Sequence, residues 1–358
     1  MKRPIIAMVA TLLAATLVIA GCSSSAPAPT QAPSKPAAAA PTSAPAAPAA
    51  PTQAAAKKID YPQKGKVITQ NVPFGAGGGA DITARTIQPL LEKELGVQMP
   101  IVNKPGGAGQ VGLTEFVQTA KPDGYTIAWT LLPGTPASYL DPERKCIFTL
   151  KDFQLVSNFA LDPVVLSVKK GSQFKTLKDL LDYAKANPGK VRVSSAGLMT
   201  TSHVAMVQLE KAAGVEFAHM FFEQQGEQRA ALLGGHIETE ANPVSETAPG
   251  VKSGDLEPLA IFDSQSSKYL PEVKTAESLG YKVAMSSARG IAVPAGTPME
   301  IVNVLDAAVK KVATDPANQE QFDKMMLATR YMGPADYLKY WKEIEGIVQM
   351  VLDASRKK

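Results

Sequence analysis

Residues 103–112 read NKPGGAGQVG, and Gly107, Gly109 and Gly112 spell G-x-G-x-x-G, the spacing of a dinucleotide fingerprint. The stretch follows a short apolar run, Val97 to Asn103, and precedes a helical pattern from Leu113 to Thr119. Upstream the same grammar occurs once more. Val67 to Val72 has strand character, PFGAGGGAD follows at 73–81, and Ile87, Leu90, Leu91 and Leu95 then fall at helical spacing, with Pro89 expected to interrupt that helix. Downstream, the turn Lys121-Pro122-Asp123-Gly124 leads to the strand Tyr125 to Thr130. Strand, glycine loop and helix in repetition predict an α/β fold with parallel crossovers.

Working outward, the pattern changes phase near Asp162. Val164 to Val168 reads as a β-branched strand, Thr176 to Ala186 as an amphipathic helix, and Val191 to Ser195 as a strand entering SSAGLMTTSH and a helix through Leu209. FFEQQGEQRAALLGGHIE leads to the strand Leu259 to Phe262. The strand Ile291 to Val293 meets PAGTPME, where Thr297, Pro298 and Glu300 predict a capped helix start with Ile301, Leu305, Ala308, Val309 and Val312 on one face. A last helix, Asp336 to Ala354, presents Tyr337, Trp341, Ile344, Val348 and Val351, and is expected to pack back onto the first lobe. Two α/β lobes joined by crossing strands, with a cleft between them, is the architecture that follows.

The first 58 residues are of another kind. Lys2-Arg3, an uncharged apolar run from Ile5 to Ala20 and Ile19-Ala20-Gly21-Cys22 form a secretory signal, too short for a membrane span and ending in a tetrad like the bacterial lipobox. Residues 1–21 are therefore expected to be removed and Cys22 to be lipidated. From there to residue 58 the chain is Ala, Pro, Ser, Thr and Gln with a few lysines, a composition that buries no core and reads as a semi-rigid tether. Of the chain's 37 basic residues only Lys2, Arg3 and Lys35 precede Lys57, so residues 57–358 carry 34 basic against 33 acidic groups, a net of +1. That near-neutrality argues against nucleic acid as a partner. With two cysteines in the chain, and Cys22 acylated, Cys146 stands alone and no disulfide framework forms.

The glycine loops admit two chemistries. A dinucleotide site needs an acidic residue at the end of the second strand, but the strands after Gly75 and Gly107 end in Asn103-Lys104 and Thr130-Leu131-Leu132. No Gly-Lys-Ser/Thr phosphate loop occurs. Glycine loops feeding helix N-termini do point backbone amides outward, so PFGAGGGAD, PGGAGQVG and SSAGLMTTSH, the last with the hydroxyls of Ser194, Ser195, Thr200 and Thr201, suit a small anion if they face one cleft. Tight packing of helix on sheet is the bland use of the same glycines. His203, His219 and His236 show no metal-ligand spacing, no nucleophile elbow occurs, and no catalytic residue, cofactor or metal is expected. Asp81 and Arg85 read as an i, i+4 pair at a helix start.

The ordered set PFGAGGGADITAR, IVNKPGGAGQVG, KPDGYTI, SSAGLMTTSH, GEQRAALLGGHIE and RGIAVPAGTP resembles the periplasmic solute receptors of the tripartite tricarboxylate transporters, the Bug or TctC family, from Val67 to the C-terminus. The resemblance implies a two-lobed type II periplasmic binding protein of Venus-flytrap form, expected to comprise residues 59–160 with 288–358 as lobe 1 and 161–287 as lobe 2. Such a receptor closes on a small carboxylate and delivers it to a two-subunit membrane permease; it is non-enzymatic, extracytoplasmic, here lipid-anchored, and expected to be a monomer. Carried over by motif, the ligand-binding residues are Pro73, Phe74, Gly77, Gly78, Gly79 and Asp81, then Gly106, Gly107, Ala108 and Gly109, then Ser195, Ala196, Gly197 and Thr200. The chain departs from the pattern at Phe222-Glu223-Gln224-Gln225-Gly226, where bulky polar groups replace glycines. It departs again at Ala288, where a tryptophan is common and a small residue is expected to widen or reshape the hinge side. The alternatives are an α/β enzyme using a nucleotide or acyl substrate through the glycine loops, and a surface protein recycled for signalling or adhesion.

Overall fold

A computed structural model describes residues 59–222 and 225–356. The signal segment, Cys22 and the tether lie outside the described residues, as do Glu223 and Gln224. The first α/β run folds in the predicted order: β1 (Thr69–Val72), α1 (Gly79–Leu95), β2 (Ile101–Asn103), α2 (Gln110–Thr119), β3 (Thr126–Leu132) and α3 (Gly134–Leu140). β1 is flanked by β2 and β3, both parallel to it. Pro89 does not interrupt α1, which runs 17 residues through it. The proline sits on the exposed face of the helix, so the carbonyl of Arg85 that loses its partner points towards water rather than the core.

Next comes β4 (Phe153–Lys169), of which the sequence reading found only the last third. Asn158 and the Asp162-Pro163 pair look like strand breakers, yet all but the ends of this 17-residue strand are buried. The reason is its place. Its first part pairs antiparallel with β9 (Ser286–Pro294) up to Pro163, and from Val164 it pairs with β7 (Thr239–Pro243) and β8 (Leu256–Ile261). One strand thus belongs to two half-sheets and is covered on both faces in each, so even its polar residues Ser157, Asn158, Asp162 and Ser167 are buried. Two bulges, near Ser157 and Asn158, bend it, and Pro163 falls where one ladder gives way to the other.

The second half-sheet is built from α4 (Leu177–Ala186), β5 (Arg192–Ser195), α5 (Thr201–Ala213), β6 (Ala218–Phe221), α6 (Gln225–Leu233) and α7 (Val244–Ser253) around β7 and β8. β5 lies parallel to both β6 and β7. After β9 the chain adds α8 (Met299–Thr314), α9 (Gln319–Lys324), β10 (Thr329–Met332), which pairs with β4, and α10 (Pro334–Ser355). The strand order β2-β1-β3-β9-β4-β7-β5-β6 therefore runs through both halves.

Two further expectations are corrected. Thr297 does not cap α8: its hydroxyl donates to the Pro294 carbonyl at 2.7 Å, and Pro298 holds the cap position with no side-chain bond. α10 buries Tyr337, Trp341, Ile344, Val348 and Val351 as its spacing predicts, but its apolar face joins one core with α5 as well as with α2, α3 and β4, so it packs against both halves. Trp341 Nε1 donates to the Tyr139 hydroxyl at 2.7 Å, fixing α10 to α3. On the opposite face of the first half-sheet, α1 and α8 bury Ile87, Leu91, Leu305 and Val309 against Trp129 and Val156.

Candidate functional site

The fingerprint glycines do structural work. The Gly112 amide lies so close to the end of β1 that an added Cβ would stand 2.6 Å from the Lys104 carbonyl oxygen and 2.9 Å from Pro73 Cα, and the Asn71 amide donates to the Gly112 carbonyl at 3.0 Å. No side chain fits there. Gly107 and Gly109 take φ of 56° and 97°, with Ala108 between them at φ 54°, a left-handed turn that reverses the chain from β2 into α2. Lys104, the one cation beside the loop that suited a nucleotide phosphate, is paired with Glu115 at 3.0 Å.

Loop 73–81 is organised from within. Asp81 is buried, and its carboxylate accepts from the Gly77 amide at 2.8 Å, Arg85 Nε at 2.9 Å and Asn103 Nδ2 at 2.9 Å; the Asn103 amide also reaches the Phe74 carbonyl at 3.0 Å. Burial would raise the Asp81 pKa, but these donors outweigh it and hold the carboxyl below its ordinary value. With its oxygens so occupied, Asp81 fixes the loop rather than offering a charge to a ligand.

Where the two halves face each other lies a cavity of about 170 Å³. From the predicted set it gathers Phe74, Ala108, Ala196 and Thr200. Pro73, Gly77, Gly78, Gly79, Asp81, Gly106, Gly109, Ser195 and Gly197 are not part of that lining, Gly77, Gly78, Gly79 and Gly106 being exposed to solvent, and Gly107 opens instead onto a surface hollow with Gln110, Val111 and Glu115. Ala108 and Met199, one from each half, both line the cavity with positive φ, 54° and 60°, a conformation non-glycine residues adopt only when their surroundings impose it. Met199 is held by His203, whose Nδ1 accepts the Met199 amide at 3.3 Å. Burial, and then the neighbouring His219, push the His203 pKa down to about 4, so at neutral pH the ring has the free lone pair this bond needs.

Five polar residues of the lining escaped the sequence reading: Arg144, Ser202, Asn242, Glu246 and Ser287. Asn242 ends β7 and Glu246 sits in the first turn of α7, which begins without a linker. Behind them Asp162, in the crossing part of β4, accepts from the Ser245 amide at 3.1 Å, from the Ser245 hydroxyl and from Arg289 at 2.9 Å; Arg289 also donates to Thr83 in α1 at 2.6 Å. This buried pair ties both halves to the strand they share. Ala288 is itself fully buried between β3 and β4 and does not line the cavity, so the hinge side is not widened there. Of the 222–226 segment, the Gln225 amide donates to the Glu246 carbonyl at 3.1 Å. Cys146, half-buried, has its thiol raised by burial and directed at the Phe148 carbonyl. The only signal that could have found Asn242 and Glu246 is the dipeptide Asn242-Pro243 ending a strand.

The family model described as the tripartite tricarboxylate transporter family receptor matches residues 83–350. A relative from Cupriavidus necator, the UPF0065 protein in the gbd 5′ region, is 34% identical over 298 residues, 82% of this chain and 87% of that one. Among solved structures, a TctC solute-binding protein from Polaromonas superposes with a TM-score of 0.71 at 28% identity, covering 82% of this chain and 99% of that one. MatC from Rhodopseudomonas palustris, solved with bound malate, shares the fold with a TM-score of 0.68 at 24% identity, over 80% and 98% of the two chains. The two half-sheets, the strand they share and the cavity between them are thus those of a two-lobed extracytoplasmic solute-binding receptor, and the chain belongs to the tripartite tricarboxylate transporter receptor family.

Proposed function

We propose that the protein captures a small organic carboxylate in the cavity between its lobes and presents the closed form to a two-subunit permease, without catalysing a reaction on it. The lobes are taken as residues 59–160 with 288–358 and residues 161–287. The observation that carries the reading is the cavity itself: about 170 Å³, smaller than the ~300–1,000 Å³ of pockets for drug-sized ligands, with loop backbone from both halves and one guanidinium, Arg144, in its wall. Asp81, Gly77 and Asn103 hold loop 73–81 in shape, and Gly112 and the left-handed turn at 107–109 do the same for the second loop, so both act through position. Ser195 Oγ, buried and without a partner among the described residues, lies directly behind Ala196. Membrane attachment through a lipidated Cys22, with residues 22–58 as spacer, and a monomeric receptor complete the proposal.

A thermal-shift screen of the purified protein against di- and tricarboxylates, amino acids, aromatic acids, NAD and ATP tests it. A carboxylate at a hundred times its Kd should stabilise by about 2.7 kcal/mol and raise Tm by roughly 5 °C or more. Shifts with nucleotides alone would refute the reading.

A further inference from the structure

Among the described residues, each carboxylate near the cavity floor has a cation except one. Asp162 bonds Arg289 at 2.9 Å, Glu240 bonds Arg229 at 2.8 Å, and Asp141 has Arg356 at 3.8 Å as well as Arg144 at 3.7 Å, which leaves Arg144 uncommitted. Glu246 lines the cavity with no hydrogen bond or ion pair to its carboxyl among the described residues. Its position would ordinarily give it local work: a glutamate three residues into a helix reaches back to the amide of the capping residue. Here that residue is Pro243, which has no N–H to give. When ionised, Glu246 therefore brings to the ligand space a negative charge with no ion-pair partner among the described residues. Beside it Asn242, almost fully buried, lines the same cavity with its Nδ2 lacking an acceptor among the described residues.

We propose that the cavity selects a small carboxylate that also carries an ammonium group, with Glu246 receiving the cation while Asn242, Arg144 and the loop amides receive the carboxylate. The inference deepens the receptor reading and rests on it. A dianion would meet one cation and one unpaired carboxylate in the same small space, whereas a zwitterion leaves neither charge alone. The groups that face Glu246 agree. Burial, then Asp162 and Glu240, raise its carboxyl to about 7 against the opposing pull of Arg289 and Arg229, both committed to other carboxylates. An ammonium arriving from solvent favours the ionised form, so capture at pH 7 releases part of a proton equivalent, up to about half.

The test is calorimetric titration of the purified protein with pairs differing by one amino group: succinate and aspartate, glutarate and glutamate, butyrate and γ-aminobutyrate, phenylpropionate and phenylalanine. In the pair that binds, the amino member is expected to bind at least tenfold tighter and to release protons, read from the dependence of the heat on buffer. Glu246→Gln, of the same shape, is expected to erase both the preference and the proton release. Tighter binding of the amine-free member, or a preference unchanged in Glu246→Gln, overturns the inference and leaves the receptor standing. Binding of neither member of any pair, where nucleotides bind, overturns both.

Discussion

The two walls of the cavity are made differently. The first lobe contributes its glycine loops, the apolar side chains of Phe74, Leu131 and Leu132 and a single charged group, Arg144; the one carboxylate of its loops, Asp81, is consumed by the Gly77 amide, Arg85 and Asn103. The second contributes side chains, Thr200 and Ser202 after β5, Asn242 in β7 and Glu246 after it, with Glu246 left open to the ligand space. A wall of main chain binds whatever presents oxygen acceptors. A wall of side chains discriminates. The comparison implies that substitutions in the first wall damage the fold before they change selectivity, and that substitutions in the second do the reverse.

The largest effect that could break this division is at Gly112. Replacement by valine drives side-chain atoms into the Lys104 carbonyl and Pro73 Cα, both main chain and unable to step aside. The expected cost is about 3 kcal/mol or more, a Tm lower by roughly 5–10 °C in thermal unfolding. Unaltered stability would mean that the second loop is not held against β1 as described.

Titration separates the walls next. Glu246, raised to about 7, contributes stability that is fully present below its ordinary value of 4.5 and is lost as pH rises through 7. His203, lowered from 6.5 to about 4, contributes stability present above 6.5 and lost as pH falls towards 4. Each is worth of order 3 kcal/mol over its full span, with opposite sign, so they largely cancel between pH 5 and 7. In ligand-free Glu246→Gln only the histidine term remains, and Tm should fall by several degrees on acidification over that range. Superposable pH profiles of the two proteins would show that Glu246 does not occupy the environment described.

The same division explains what the sequence discloses. Local geometry leaves local marks: glycines at strand-to-helix turns, the Asp81 and Arg85 spacing, and the 3.6-residue period of α10 each depend on residues within one or two turns. The family resemblance, carried by those marks, extended them to the fold. Hidden were features fixed by distant partners. Only Val164 to Val168 of β4 reads as strand, after a change of phase near Asp162, because nothing nearby shows that Asp162 meets Arg289, 127 positions away. Glu246 itself carries no mark in the sequence, since its exposure to the cavity depends on β7 lying beside β5. Gly78 and Gly106 lie exposed on their loops rather than in the cavity lining, because a motif marks a loop, not which of its atoms face inward.

A smaller effect contrasts two acids in equivalent settings, both in the first turn of a helix beside the cavity. Asp81→Ala strips a partner from the Gly77 amide, Arg85 and Asn103, at a cost of about 2 kcal/mol by denaturant unfolding, and weakens every ligand alike. Glu246→Ala at pH 8 removes an unpaired charge and should leave stability unchanged or improved, while altering the ranking of ligands. If the two variants behave alike, the walls are not functionally distinct.

The smallest expected change is also the one that weighs main chain against side chain most directly. The Arg144 guanidinium stands 3.5 Å from Ser138 Oγ and 3.7 Å from Asp141, distances too long to make it important to the fold. Arg144→Ala should therefore leave Tm within about 2 °C and weaken carboxylate binding about tenfold, or 1.4 kcal/mol. Because that part of the affinity is ionic and only partly shielded from solvent, added salt should weaken the parent protein and leave the variant's affinity nearly constant. Equal affinities at every salt concentration would assign the carboxylate to the amides of the glycine loops alone. The main-chain wall would then suffice for capture, and Arg144 would serve only to draw the anion towards the cavity mouth, an effect visible in the association rate.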